Sequence, residues 1–174
     1  MAELHDLYTA DRAPTGETIA RGERVPEGRF RIIVHVVILN DENDMLIQRR
    51  QPFKEGWPGR WDLSVGGSAV HGETARMAAE RETGEELGLA LKLPEEPPAI
   101  TLRFSGGFDD IFVARRNVDL NSLALQPEEV AEACWASKEQ VHRMIDDGAF
   151  IPYKHALIDL LFSYTGKGDG GRDI

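Results

Sequence analysis

The chain has 174 residues, 41% of them hydrophobic, and sets 20 Lys and Arg against 30 Asp and Glu for a formal net charge of −10. A chain of that size buries roughly 70% of its unfolded surface as one domain, so a single core is expected. The acidic balance excludes a nucleic-acid duplex or an anionic membrane as the main partner, since both demand a basic surface, and the single cysteine, Cys134, excludes an intrachain disulfide or a Cys-rich zinc site.

The first residues, "MAELHDLYTADR", carry acids early and no apolar run, so no signal peptide is expected and a cytoplasmic location is. "LHDLYTADRAPTGETIARGE" reads as two short edge strands around a Pro/Thr/Gly turn, an N-terminal strand pair within 1–28 of one domain covering 1–165. "FRIIVHVVIL" is apolar on both alternating faces and rich in β-branched residues, as a strand buried on both sides must be; it is too short to span a bilayer. His35 within it is expected to be a satisfied core histidine. "NDEND" turns the chain and "MLIQRR" pairs back as the next strand. "WPGR" places Pro and Gly where a type II turn needs them, so a new strand should begin at Trp61 and end at Gly66 and Gly67.

Residues 75–87 are rich in Ala, Glu, Arg and Met, with Thr74 able to cap a helix and Gly88 where a left-handed terminator belongs. Beyond that helix, "AITLRFSG" and "DDIFVARR" read as strands around a Gly-containing turn, and "EVAEACWAS" as another, with Cys134 a small buried hydrophobe. "SKEQVHRMIDDG" carries a Ser137–Gln140 capping box, an apolar stripe at Val141, Met144 and Ile145, and a stop at Gly148. A last helix is expected from about Tyr153 with Leu157, Leu160, Leu161 and Tyr164 inward, followed by a flexible tail over 166–174. Strands and helices interleave without regular βαβ alternation, which points to an α/β protein of the α+β type, a mixed sheet between helices.

The helix over 75–87 breaks two local rules. At about 100° per residue, Glu82, Glu85 and Glu86 share one face within roughly 100° of arc, where they repel one another. They also stand in the last turn, where anions oppose the helix dipole. A solvated acidic face would be the ordinary fate of such a run. A hard divalent cation that takes carboxylate oxygens would offset both costs.

The flanking residues resolve the choice. "GSAVHGETARMAAERETGEELGL", residues 67–89, resembles the Nudix box, Gx5Ex7REUxEExGU, with Gly67, Glu73, Arg81, Glu82, Glu85, Glu86, Gly88 and Leu89 in register and Thr83 in place of the first bulky aliphatic residue. The resemblance implies the Nudix fold, a mixed β-sheet sandwiched between α-helices. It implies a pyrophosphohydrolase that cleaves the P–O–P linkage of a nucleoside-diphosphate-type metabolite. It implies Mg²⁺, with Mn²⁺ as substitute, held by Glu82, Glu85 and Glu86 and the carbonyl of Gly67, with Arg81 and Glu73 as an orienting ion pair. The general base comes from the box or from a later loop, where "QPEEVAE" offers Glu128 and Glu129. Arg49, Arg50 and Lys54 are candidate phosphate contacts, and Trp57 and Trp61 could stack on a base, with core burial expected for at least one. No role is assigned to His71. The chain is compatible with a homodimer. "WPGRWDLSVGG" also resembles the isopentenyl-diphosphate isomerase branch of the superfamily, to whose diphosphate contacts Arg50 and Lys54 correspond. Gly66 stands where that branch has a catalytic cysteine, and Ser68 where it has a metal-binding histidine. A third reading is a Nudix-fold binding module without turnover, and intact box glutamates weigh against it.

Overall fold

The computed structural model describes residues 3–164; the tail expected over 166–174 lies outside them. Strands β1 (Leu4–Tyr8) and β2 (Pro14–Ala20) form an antiparallel pair of their own. The turn between them is not at Pro14–Gly16, as the sequence suggested, but over 9–13, where Arg12 takes φ 62° and Ala13 O accepts from Thr9 N. Pro14 opens β2 instead, a strand position that needs no N–H. Arg12 then reaches across to grip Asp110 with both guanidinium nitrogens, at 2.8 and 2.5 Å, and so fastens the pair to the main sheet.

That sheet has seven strands: β3 (Arg31–Leu39), β4 (Met45–Arg50), β5 (Trp61–Asp62), β6 (Val65–Ser68), β7 (Ile100–Phe104), β8 (Gly107–Arg115) and β9 (Val130–Ala136). β3 lies at its centre, parallel to β8 and antiparallel to β6 and β4. Alternating residues of β3 feed two cores, as a doubly buried strand must. Val34, Val36 and Ile38 pack with Leu46 and Val65 under Ala78, Ala79 and Leu87 of α1 (Ala75–Leu87). Val37 and Leu39 pack with Met45 and Ile47 under Val141 of α2 (Lys138–Asp146) and Ile158, Leu161 and Phe162 of α3 (His155–Ser163). The expected mixed sheet between helices is therefore what forms. No described helix is long and apolar enough to cross a membrane.

Two expectations need correction. The strand from Trp61 is broken into β5 and β6, because Ser64 Oγ donates to Leu46 O and accepts from Ile38 N, doing by side chain what a continuous ladder would do by backbone. The last helix starts at His155, not Tyr153, whose hydroxyl is tied to Asp62. Its inward face keeps Leu157 and Leu161 of the expected stripe but not Leu160. Leu160 is 49% exposed, while Ile158 and Phe162 join Leu161 in the core. The segment is apolar at both phases, so periodicity alone does not choose between them.

Candidate active site

The helix that carries the glutamates forms as its signals require. Thr74 accepts from Met77 N at 3.2 Å, and Gly88 closes the helix at φ 64°. Thr83, the departure from the box pattern, is buried and spends its hydroxyl on Ala79 O at 2.7 Å, so it sits in the core without an unmet polar group.

The three acidic residues meet three different environments. Glu86 is 3% exposed. Its Oε2 accepts from Gln48 Nε2 at 2.8 Å and from Gly66 N at 3.4 Å, while Oε1 accepts no hydrogen bond among the described residues. Burial first, then the charges of Glu82 and Glu129, push its pKa up to about 8 against the Gln48 and Gly66 hydrogen bonds. Glu82 is partly buried; desolvation raises its pKa despite Arg81, whose Nη1 lies 3.0 Å away, and Ser68 N, which donates at 3.3 Å. Glu85 is half exposed and paired with Arg81 at 2.9 Å. Among the described residues no three His, Cys, Asp or Glu side chains stand close enough together to hold a metal ion. Glu82 and Glu86 instead converge on β6.

Arg81 holds this arrangement. Its Nε and Nη2 grip Glu73 at 2.8 and 3.0 Å, Nη2 also donates to Ser68 O at 3.0 Å, and Nη1 serves Glu82 and Glu85. Glu73 in turn accepts from Val70 N at 3.0 Å, which closes the loop before α1. β6 approaches the helix so closely that a Cβ at Gly67 would lie 2.1 Å from Glu82 Cδ, so only glycine leaves Glu82 where it is. At Gly66 a Cβ would lie 3.0 Å from His35 Cδ2 and Nε2, which leaves little space there for a cysteine.

The other predicted residues divide. Lys54 Nζ and Glu129 Oε2 are 2.5 Å apart, so a proposed phosphate contact and the proposed base are partners of each other, while Glu128 is exposed. Arg50 donates to Gly56 O and lies 3.8 Å from Asp62; Arg49 donates to Gly59 O and faces Glu132 at 4.0 Å. Trp61 packs against the α2–α3 core, whereas Trp57 is 47% exposed, adopts φ 52° and lies under the Arg60 guanidinium. The Pro58–Gly59 turn forms, with Gly59 at φ 67° and Arg60 N donating to Trp57 O.

Sequence reasoning missed the polar groups beneath the site. Gln48, buried on β4, fixes Glu86. His35 is satisfied, as expected, but by a network: Nδ1 to Asp109 at 2.7 Å and Nε2 to Tyr153 Oη at 3.4 Å, with Tyr153 bound to Asp62 at 2.8 Å. Burial opposes charge on His35, yet Asp109, Asp62 and Glu86 together raise its pKa. The sequence gives little local signal for Gln48, since Arg49 and Arg50 follow it in β4 and make it look like the start of a polar strand end.

Residues 29–156 match the family model of the NUDIX domain. An uncharacterized Nudix hydrolase of Listeria monocytogenes, lmo0368, is 45% identical over 151 residues, which are 87% of this chain and 89% of that one. An isopentenyl-diphosphate Delta-isomerase of Brevibacterium linens is 31% identical over 128 residues, 67% of this chain and 68% of that one. The crystal structure of DR0079 from Deinococcus radiodurans superposes with a TM-score of 0.72 at 25% identity, covering 91% of this chain and 97% of that one. With a family model spanning more than half its length and its box in place on α1, the chain belongs to the Nudix hydrolase family and is a pyrophosphohydrolase by class.

Proposed function

We propose that the chain hydrolyses the P–O–P linkage of a small nucleoside-diphosphate-type metabolite, at the face made by Glu82, Glu86 and the carbonyl of Gly67, with Mg²⁺ or in its place Mn²⁺. The observation that carries this reading is Glu86, a buried carboxylate bonded through one oxygen only and pushed toward neutrality. An apolar or amide side chain would serve the core at lower cost, so the fold keeps an acid whose charge needs a partner. The donor set fits a hard divalent cation, which when bound would neutralise diphosphate charge and lower the pKa of the attacking water. Glu85 would join it only by leaving Arg81.

The chain's own residues then have separable tasks. Gln48 and Gly66 N aim Glu86 and Ser68 N aims Glu82, while Arg81 fixes Glu73 and the loop so that both stay aimed. Glu129 is proposed as the base that takes the proton of the attacking water. Its ion pair with Lys54 would have to loosen when substrate phosphates compete for the lysine. Arg49, Arg50, Lys54 and the exposed Trp57 border the substrate in this reading. Likeness to an isomerase does not carry isomerase chemistry here, since Gly66 brings no thiol and leaves little space beside His35 for one. Release of phosphate or nucleotide from a panel of nucleoside diphosphates, triphosphates, nucleotide sugars, dinucleoside polyphosphates and coenzyme A, with each metal, tests the proposal. Metal-dependent cleavage of at least one compound is expected. A folded, metal-loaded protein that cleaves none would leave a binding module.

A further inference from the structure

The cations best placed for a ligand are not those nearest the box in sequence. Arg49, Arg50 and Lys54 are each bonded within the protein. Elsewhere, a cleft of about 890 Å³ opens between the end of β2, the segment over 22–30 and the β7–β8 turn. Arg24, Arg29, Arg31 and Arg103 line it, against two acids, Glu23 and Glu27. Glu23 is engaged by the N–H of Ala20, and Arg29 by Glu17. Arg24, Arg31 and Arg103 have no carboxylate within ion-pairing distance among the described residues. A chain of net charge −10 thus leaves three guanidinium groups uncompensated in one concavity. For Arg31 the cost is visible: burial, then the charge of Arg21, pull its pKa down.

The walls of the cleft connect it to the box. His5, buried in the cleft wall, donates from Nδ1 to Ala69 O at 2.9 Å and sets Nε2 3.4 Å from Glu3 Oε1, which ties β1 to the loop before α1. Arg31 also joins the cleft to the box, since its Nη1 donates to Ser68 Oγ at 3.3 Å while Ser68 N donates to Glu82 Oε1. One residue, Ser68, therefore separates the unpaired cation from the proposed metal face. Phe30 and Phe104 add aromatic surface to the same walls.

We propose that this cleft is a second anion-binding subsite, which takes a phosphate group carried by the substrate at a distance from the linkage that is cleaved. The inference rests on the hydrolase reading above and names the class of substrate it prefers: a diphosphate with a further, remote phosphate. Arg31 and Arg103 bind its oxygens, and the phenyl rings cover the connecting group.

Two matched probe pairs test it, coenzyme A against 3′-dephospho-coenzyme A and NADP⁺ against NAD⁺, each pair differing by one remote phosphate. The wild-type protein is expected to favour the phosphorylated member of at least one pair by about 10-fold in kcat/KM, through KM, with the preference fading at high salt. Arg103→Ala, on an exposed strand edge, and Arg31→Gln should each bring that ratio toward one. A second readout needs no turnover: calorimetric binding of adenosine 3′,5′-bisphosphate in EDTA should weaken by about 10-fold in both variants and persist in Glu86→Gln. If no pair is cleaved but the bisphosphate binds in an arginine-dependent way, the subsite stands and the hydrolase reading falls. If the pairs are cleaved without preference, or the variants slow both members equally, or the bisphosphate binds none of the proteins, the subsite is refuted.

Discussion

Helices α1 and α2 begin alike, each with a hydroxyl at its N-cap bonded to the third backbone N–H. From there α2 follows most local rules, Asp146 in its last turn excepted. Gln140 completes a capping box, Glu139 sits in the first turn, Arg143 in the last, and Val141 faces the core. α1 is capped by Thr74 and Gly88 but departs from several other rules. It has no acid in its first turn and no base in its last, it carries Gly84 within its body, and it buries Thr83 and Glu86 beside Ala78, Ala79 and Leu87. Such departures collect where structure has been given up for chemistry, so the difference between the two helices separates scaffold from site.

The comparison is most sharply broken at Glu86. Glu86→Gln is expected to cut turnover on the order of 10³-fold while the fold persists, since glutamine can fill the same space and still accept from Gln48. The pH dependence has a definite sign. Glu86 has a folded pKa of about 8, above its unfolded value, so the proton is held by the folded state. Its stabilisation is complete below the unfolded pKa near 4.5 and is lost as pH rises toward 8. In EDTA, denaturation of the wild type should therefore show stability falling across that window, by on the order of a few kcal/mol, and the glutamine variant should show the decline removed.

Gly67→Ala is next. Its Cβ must displace Glu82, so turnover should fall by about 100-fold with a smaller loss of stability, read by steady-state kinetics beside circular dichroism. Arg81→Ala should act on both, costing about 3 kcal/mol in chemical denaturation because Glu73 and Glu82 lose their partner, and disabling turnover as the loop loosens. In α2 the expected effects are stability alone. Ser137→Ala should cost about 1 kcal/mol and leave kcat/KM unchanged. Cys134→Ala, in the half-buried middle of β9, should be smallest of all, with turnover within a few-fold of wild type. Loss of turnover in either of these last two would blur the division between scaffold and site.

The same division governs what could be read from the sequence. Caps and breakers are local, so Thr74, Gly88, Ser137 and Gln140 announced their helices, and β3 its place at the centre of the sheet. Where two answers were equally apolar, as in α3, only packing against β3 and α2 chose Ile158 and Phe162 over Leu160. The site was legible where its residues stand at fixed spacing on one helix. It was not where they come from distant strands: Gln48 reaches Glu86 across 38 positions, and Tyr153 reaches His35 across 118. Charge is legible only in part for the same reason. Arg49, Arg50 and Lys54 stand near the box in sequence and are bonded elsewhere, while Arg31 and Arg103 meet only through the pairing of β3 with β8 and of β8 with β7.

The central claim is that Glu86 is held at a cost to the fold because its charge awaits a cation. Thermal unfolding of wild type and Glu86→Gln at pH 8, in EDTA and in millimolar Mg²⁺, measures this directly. The account predicts that the variant unfolds at the higher temperature in EDTA, and that Mg²⁺ raises the wild-type midpoint by several degrees while barely moving the variant. A variant less stable than wild type in EDTA, or one that Mg²⁺ stabilises just as much, would contradict it.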